Sequence, residues 1–198
     1  MRRGMISCLY VAIGLAMIGC TTKVTRVQSD STIDLTGRWN DTDSRLVAEN
    51  MISDCLNAKW LYKWESRSKR PKVIVGTITN RSHEHISVET FSNDIQRALL
   101  NSGKVDFVAS KTEREQIRDE KADQAENSSA QTAKSEHEET GADLMMIGTI
   151  NTIVDQEGSR AVVYYQVNME LVDIESHLKT WIGEKKIKKY VERATTTF

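Results

Sequence analysis

The sequence predicts an α/β fold: a single domain in which helices flank a mixed β-sheet, with an antiparallel hairpin and a last strand at its C-terminal end. Two observations predict this fold. Between residues 33 and 143, stretches with helical spacing of apolar residues alternate with short apolar runs, which is typical of strand–helix units in two or three layers. The last third then alternates with a period of two around a loop that contains Gly158, as an antiparallel hairpin does.

Two amphipathic helices are expected to cover the sheet. Asn40 or Asp41 can cap the first helix, which runs to about Leu56. Ser87 can cap the second helix, and Gly103 is expected to end it in a left-handed conformation. The expected buried stripes are Val47, Ala48, Met51, Ile52, Cys55 and Leu56 in the first helix and Phe91, Ile95, Ala98 and Leu99 in the second.

A third helix is expected to be almost wholly polar. Ser110 and Glu113 have the spacing of a capping box at its start. Ile117 is the largest apolar side chain that this helix could bury. A further helix is expected within residues 128–140.

Five strands are expected to form the sheet. Lys72–Thr79 is apolar on both faces, as a buried central strand requires. Residues 161–171 alternate strictly between apolar and polar side chains and give the clearest strand pattern in the chain. The other strands are expected at residues 105–109, 144–154 and 180–190, with a hairpin loop at 155–159 and a turn near 175–177.

The N-terminus has the pattern of a lipoprotein signal peptide. Arg2 and Arg3 precede an apolar run over residues 6–18, which is too short for a comfortable membrane span. The run ends in Met-Ile-Gly before Cys20, a cysteine position that can carry diacylglyceryl and palmitate groups. The predicted organisation is a signal peptide over residues 1–19, a lipidated tether over residues 20–32 and an α/β domain over residues 33–198. The alternative is an ordinary signal peptide with an accidental cysteine.

The residue after Cys20 bears on localisation. An Asp at this position is the usual inner-membrane retention signal in Gram-negative lipoproteins, and here the residue is Thr21. We therefore expect a lipid anchor in the outer membrane, with the domain facing the periplasm. The dozen residues between Cys20 and Ile33 would span roughly 40 Å when fully extended.

The overall composition excludes two classes of protein. The formal net charge of the 198 residues is -1, so wholesale nucleic-acid binding is not expected. Cys55 is the one cysteine of the predicted domain, which excludes a scaffold held by internal disulfides. Its apolar neighbours indicate a buried, unreactive thiol rather than a reactive one.

No motif for catalysis is found, so we do not expect an enzyme. The chain has no phosphate-binding glycine loop, no nucleophile elbow and no HExxH motif, and neither a cofactor nor a small-molecule substrate is expected. His83 and His85 could offer two imidazoles to a metal, but no third and fourth ligand is evident. A solvated polar loop is the favoured interpretation.

Two further clusters leave alternatives open. Trp60, Tyr62 and Trp64 lie beside Lys59 and Lys63, so they form either a contact hot spot or a cover for the core. The second cluster is Lys185, Lys186, Lys188 and Lys189. It is either a patch for an acidic partner or lipid headgroups, or a lysine-guarded edge strand that resists aggregation, which we favour.

A docking surface is predicted from two groups of polar side chains. The loop after the predicted central strand carries Arg81, His83 and His85, none of which the core can easily use. Tyr164, Gln166 and Asn168, together with Glu170, form the polar side of an otherwise apolar strand. Aromatic and adaptable polar groups on a rigid scaffold are typical of protein contacts.

Several segments, taken in order, resemble the LpoB family of penicillin-binding-protein activators. They are Leu35-Thr36-Gly37-Arg38-Trp39-Asn40-Asp41, the strand and loop from Val73 to Ser82, the segment from Ala98 to Val105, Gly141-Ala142-Asp143 and the segment from Gln166 to Leu171. Together they cover most of residues 33–190. Their order, together with the lipoprotein pattern at Cys20, is what makes the resemblance specific.

The resemblance implies a fold and a function. The fold would be similar to the N-terminal domain of TolB and the core of CsgG. The protein would be an outer-membrane lipoprotein that binds the non-catalytic docking domain of a bifunctional penicillin-binding protein and stimulates peptidoglycan synthesis, and so affects cell shape. The alternative is a CsgG-like structural subunit of a secretion or envelope assembly. That role needs a membrane-inserting hairpin, whereas the one clear hairpin here is needed for the sheet.

Overall fold

A computed structural model describes residues 22–135 and 137–193 and confirms the expected α/β fold. The chain divides into two units, residues 1–31 and 32–198. In the first unit, the described residues 22–31 form neither helix nor strand. The signal peptide predicted for residues 1–19 and the predicted lipid site at Cys20 lie outside the described residues.

The second unit contains the helices and strands. The described helices are α1 (Asp41–Asn57), α2 (Tyr62–Glu65), α3 (Val88–Asn101) and α4 (Lys111–Asn127), with a 3₁₀ turn at Lys59–Leu61. The described strands are β1 (Lys72–Asn80), β2 (Asp106–Phe107), β3 (Leu144–Glu157), β4 (Arg160–Asp173) and β5 (Lys179–Glu192).

The five described strands form one mixed sheet in the order β2-β1-β3-β4-β5. β1 runs parallel to β2 and β3, whereas β3–β4 and β4–β5 are antiparallel. A two-residue turn joins β3 to β4, and Gly158 adopts a φ of 58° there, a conformation that glycine reaches without strain. The predicted hairpin is therefore confirmed, and its two strands lie at the centre of the sheet.

The core lies between one face of the sheet, here called the inner face, and helices α1 and α3. On β4, the alternation predicted from the sequence buries Val163, Tyr165, Val167, Met169 and Leu171. The helices contribute the predicted stripes, of which Val47, Met51, Phe91 and Ile95 are almost completely buried. Because α1 reaches the edge strand, it closes the inner face as far as β5, where Trp181 donates a hydrogen bond to Asp54 at 3.0 Å.

The structure confirms the predicted helix-end residues at three positions and differs from the prediction at one. Asn40 with Asp43 and Ser110 with Glu113 both form capping boxes. Gly103 has a φ of 65° just after α3. Ser87 occupies the cap position of α3, but its side chain does not cap the backbone and lies 2.9 Å from the Thr90 hydroxyl instead.

Three expectations along the chain need correction. No helix forms in the described parts of residues 128–140, where Thr132 bonds back to Ser129 in a turn. Serine and threonine side chains compete with helical hydrogen bonds, which explains why α4 ends at Asn127. The strand expected at residues 105–109 is only Asp106–Phe107. Helix α4 buries none of its residues, and Ile117 remains 48% exposed.

The other face of the sheet, here called the outer face, carries no packed helix along β3–β5 in the part of the chain that the structure describes. Ile153, Ile182 and Tyr190 are each more than 60% exposed there. Among residues 22–135 and 137–193, no helix is both long enough and apolar enough to cross a membrane.

Candidate docking surface

The outer face of β3–β5 is an array of polar and apolar side chains in fixed register. Each row across the three strands has one residue from each strand. From the hairpin end, the rows are Ile153–Tyr164–Lys188, Asn151–Gln166–Lys186, Thr149–Asn168–Glu184 and Ile147–Glu170–Ile182. The predicted residues Tyr164, Gln166 and Asn168 therefore stand side by side along the middle strand, and all three are half-buried.

A hydrogen-bonded network holds these side chains in place. The Gln166 amide donates to Asn168 at 3.1 Å and to the Glu184 carboxylate at 2.6 Å. Lys186 pairs with Glu184 at 2.5 Å, and the pKa of Lys186 is raised by Glu184 first and by Tyr164 to a smaller extent. The network fixes the polar groups before any partner arrives, which lowers the entropy lost on binding.

The predicted loop after β1 is also rigid, but it faces a different direction. Within the loop, Asn80 and Ser82 bond to the backbone of Glu84. The Glu84 carboxylate then accepts hydrogen bonds from the Tyr165 hydroxyl at 2.8 Å and the Trp39 backbone N–H at 3.1 Å. Tyr165 belongs to the inner face, so the loop is fastened to the inner side of the sheet.

The remaining loop side chains are exposed. Arg81, His83 and His85 all point away from the core, although His83 lies 2.8 Å from the Thr152 hydroxyl through its Nδ1. No hydrogen bond or ion pair joins them to Tyr164, Gln166 or Asn168 in the described residues. The structure thus places the two predicted groups at one end of the same sheet but on different sides of it.

Sequence reasoning missed the residues that organise both groups. Glu84 joins the loop to Tyr165 and Trp39, and no sequence pattern indicates this contact. Burial raises the pKa of the Tyr165 hydroxyl, and Glu84 raises it further, so this phenol stays protonated and donates. The contact of Glu184 with Gln166 is likewise not predictable from the sequence, because it depends on the register of β4 against β5.

The lysine cluster occupies the edge strand β5, and its members have separate roles. Lys185 donates to Asn50 of α1 at 3.2 Å, and Lys186 belongs to the outer-face network. Lys189 is largely buried between Asp43, at 2.6 Å, and Asp34, at 2.9 Å. Burial alone would lower the pKa of Lys189, but the bonds to Asp43 and Asp34 outweigh it and raise the pKa.

The three residues of the aromatic cluster after α1 differ in how deeply they are buried. Trp60 is buried and donates to the Cys55 carbonyl at 2.7 Å, so it covers the core. Trp64 is half-buried against the core, whereas Tyr62 is 62% exposed. Trp60 and Trp64 therefore cover the core, whereas a contact role for Tyr62 stays a prediction.

The described residues contain no group of His, Cys, Asp and Glu side chains that could hold a metal ion. Burial raises the pKa of the Cys55 thiol to about 12, so the thiol is protonated at neutral pH and unreactive, as predicted.

Comparison with known proteins gives a family and several similar folds. A family model described as the peptidoglycan-synthase activator LpoB matches residues 43–187. No match was found among curated protein sequences. The C-terminal domain of LpoB from Escherichia coli is 16% identical with a TM-score of 0.48, and the match covers 74% of this chain and 99% of that chain.

Two further solved structures are similar. The C-terminal domain of LpoB from Salmonella enterica is 14% identical with a TM-score of 0.43, again covering 74% of this chain and 99% of that chain. Lipoprotein GNA1162 from Neisseria meningitidis is 14% identical with a TM-score of 0.39, covering 64% of this chain and 88% of that chain.

Proposed function

Because the chain belongs to the LpoB family of peptidoglycan-synthase activators, we propose that it is an outer-membrane lipoprotein that activates a bifunctional class A penicillin-binding protein. The family match over residues 43–187 is the observation that carries this proposal, since it spans the folded unit from α1 into β5. Lipid on Cys20 holds the domain at the membrane, facing the periplasm. The domain acts by binding and needs no chemistry of its own.

The synthase docks on the outer face around Tyr164, Gln166 and Asn168. This surface combines a half-buried aromatic ring, an amide pair and the exposed apolar side chains of Ile153 and Ile182. Such a mixture gives large contact area at a low cost in side-chain entropy. Because the sheet backbone and the Glu184 network already hold these groups, docking requires little rearrangement.

The loop residues Arg81, His83 and His85 form a second contact, on the other side of the sheet from Tyr164. They lie at the end of the sheet where Tyr164 also stands, and their side chains are exposed. A rim charge acts mainly through electrostatic complementarity, so Arg81 is expected to meet an acidic group on the synthase.

Calorimetric titration of the protein against the purified synthase tests this docking model. Tyr164→Ala should weaken binding by about 1–3 kcal/mol, because it removes an aromatic contact at the centre of the surface. Arg81→Glu should weaken binding by about 1–3 kcal/mol through charge reversal. Melting temperatures should change little, since neither side chain is in the core.

Arg118→Glu on the polar helix α4 is the matched control. It reverses an exposed charge and breaks the pair with Glu139, but it lies far from the outer face and should leave affinity unchanged. Wild-type affinity in Tyr164→Ala would remove the outer face from the interface. Wild-type affinity in Arg81→Glu would remove the loop.

A further inference from the structure

The segment that links α1 to β1 concentrates positive charge in a chain whose total charge is close to zero. Residues 59–72 contain six cations and a single carboxylate, Glu65, whereas the whole chain has a net charge of -1. The six cations are Lys59, Lys63, Arg67, Lys69, Arg70 and Lys72, and Lys104 from the loop after α3 lies beside them. We call this set the basic end.

Three of the seven cations of the basic end are available to a partner. The side chains of Lys59, Arg67 and Lys69 are exposed and have no hydrogen bond or ion pair among the described residues. Arg70 pairs with Asp106 at 2.8 Å, and Lys104 donates to the Leu56 carbonyl at 3.3 Å. The pKa of Asp173 is lowered first by hydrogen bonds from Ser176 and to a smaller extent by Lys63. Three positive charges therefore remain without a counter-charge in the described part of the chain.

The basic end also contains a concave surface with an aromatic wall. A cavity of about 350 Å³ is lined by Leu61, Trp64, Glu65, Ser68, Lys69, Arg70, Pro71, Gly103 and Lys104. Three of these side chains are cationic, and Trp64 is half-buried, so part of its ring is open to a ligand. This combination suits a ligand that has carboxylates as well as apolar ring faces.

We propose that the basic end binds peptidoglycan itself, through the free carboxylates of its stem peptides and the apolar faces of its sugar rings. The activator would then hold the polymer while its outer face holds the synthase. The charge and the cavity on which this inference rests do not depend on the lipid anchor proposed above.

Co-sedimentation with isolated peptidoglycan sacculi tests this inference, using the mature lipidated protein in detergent. The wild type should sediment with sacculi at low salt and be released at about 0.3 M salt, where exposed charges are screened. Arg67→Glu/Lys69→Glu should bind about ten-fold or more weakly, because two exposed cations become anions. Sacculi whose carboxylates have been converted to neutral amides should bind the wild type no better than they bind this variant.

Lys111→Glu/Lys134→Glu is the matched control, since it changes the net charge equally at exposed positions outside the basic end. This variant should sediment like the wild type. Equal sedimentation of wild type and Arg67→Glu/Lys69→Glu, or undiminished binding to sacculi with amidated carboxylates, would overturn the inference. Calorimetry of Arg67→Glu/Lys69→Glu against the synthase separates the two proposals, because synthase affinity should be unchanged whether or not sacculi bind.

Discussion

The ammonium group of Lys189 joins three parts of the chain at one point. It contacts Asp43 in the first turn of α1, and it also contacts Asp34 and the Arg38 carbonyl in the segment that enters the fold. Asp34 additionally accepts a hydrogen bond from Asn40 at 2.6 Å. A largely buried cation is costly without partners, so each acceptor contributes to holding the entering segment against the edge strand.

Asp34→Asn should therefore lower the free energy of unfolding by about 0.5–1 kcal/mol at neutral pH, a modest value because Asp34 is half exposed and Lys189 keeps Asp43. Lys189 and Asn40 lower the pKa of Asp34 below its ordinary value of 3.8. A carboxyl with a lowered folded pKa stabilises above its unfolded pKa and loses that contribution as the pH falls through the folded value.

The difference between wild type and Asp34→Asn should thus be constant near neutrality and shrink below about pH 4, as measured by urea unfolding at several pH values. Asp155→Asn, at an exposed position on the hairpin, is the control and should show no such dependence. A difference that persists unchanged at pH 2.5 would contradict the assigned role of Asp34.

Helices α1 and α4 each begin with a capping box of the same kind, but the two helices lie in different surroundings. Both have 17 residues and a complete box, but α1 buries eight residues and α4 buries none. Capping energy in α1 is therefore coupled to the core, whereas in α4 it affects little beyond the helix. A bidentate contact between Arg118 and Glu139 joins α4 to the segment before β3.

Ser110→Ala should destabilise α4 by about 1 kcal/mol, because the backbone N–H of Glu113 loses its acceptor. Amide hydrogen exchange should quicken in residues 111–127 while the global melting temperature stays within error. Asn40→Ala makes the equivalent change in α1 and should lower the global melting temperature. Equal melting temperatures for the two variants would contradict the coupling between the cap of α1 and the core.

The same contrast explains which elements the sequence could predict. β4 was predictable from Val163 to Leu171 because burial of one face enforces alternation, and Ser110 with Glu113 was predictable because a capping box is local. The helix predicted after Asn127 was wrong because this stretch is polar throughout. No buried face therefore decides between a helix and a turn.

Contacts that depend on strand register could not be predicted from the sequence. Gln166 meets Glu184 only because Asn168 pairs with Glu184 across β4 and β5, and Tyr165 meets Glu84 only because the loop after β1 folds over the end of β4. The predicted residues Tyr164, Gln166 and Asn168 were therefore placed on one face correctly, whereas their separation from the Arg81 loop could not be foreseen.

At the scale of the whole molecule, three surfaces lie apart. The chain enters the folded unit beside Lys189, the proposed synthase surface covers the outer face, and the basic end lies beyond the start of β1. None of these surfaces shares a residue with another. The proposed anchor, synthase and peptidoglycan contacts can therefore be made at the same time and disrupted one at a time.

The anchor is the contact that single substitutions can test most directly. If Cys20 carries the lipid, Cys20→Ala should release the protein from the membrane fraction or leave its signal peptide uncleaved, because acyl chains contribute about 0.8 kcal/mol per buried methylene. Metabolic labelling with a palmitate analogue, followed by membrane fractionation, measures both effects. Cys8→Ala is the matched control and should remain labelled and membrane-bound, since almost no apolar run precedes Cys8. Label that persists in Cys20→Ala would place the lipid elsewhere and overturn the proposed anchor.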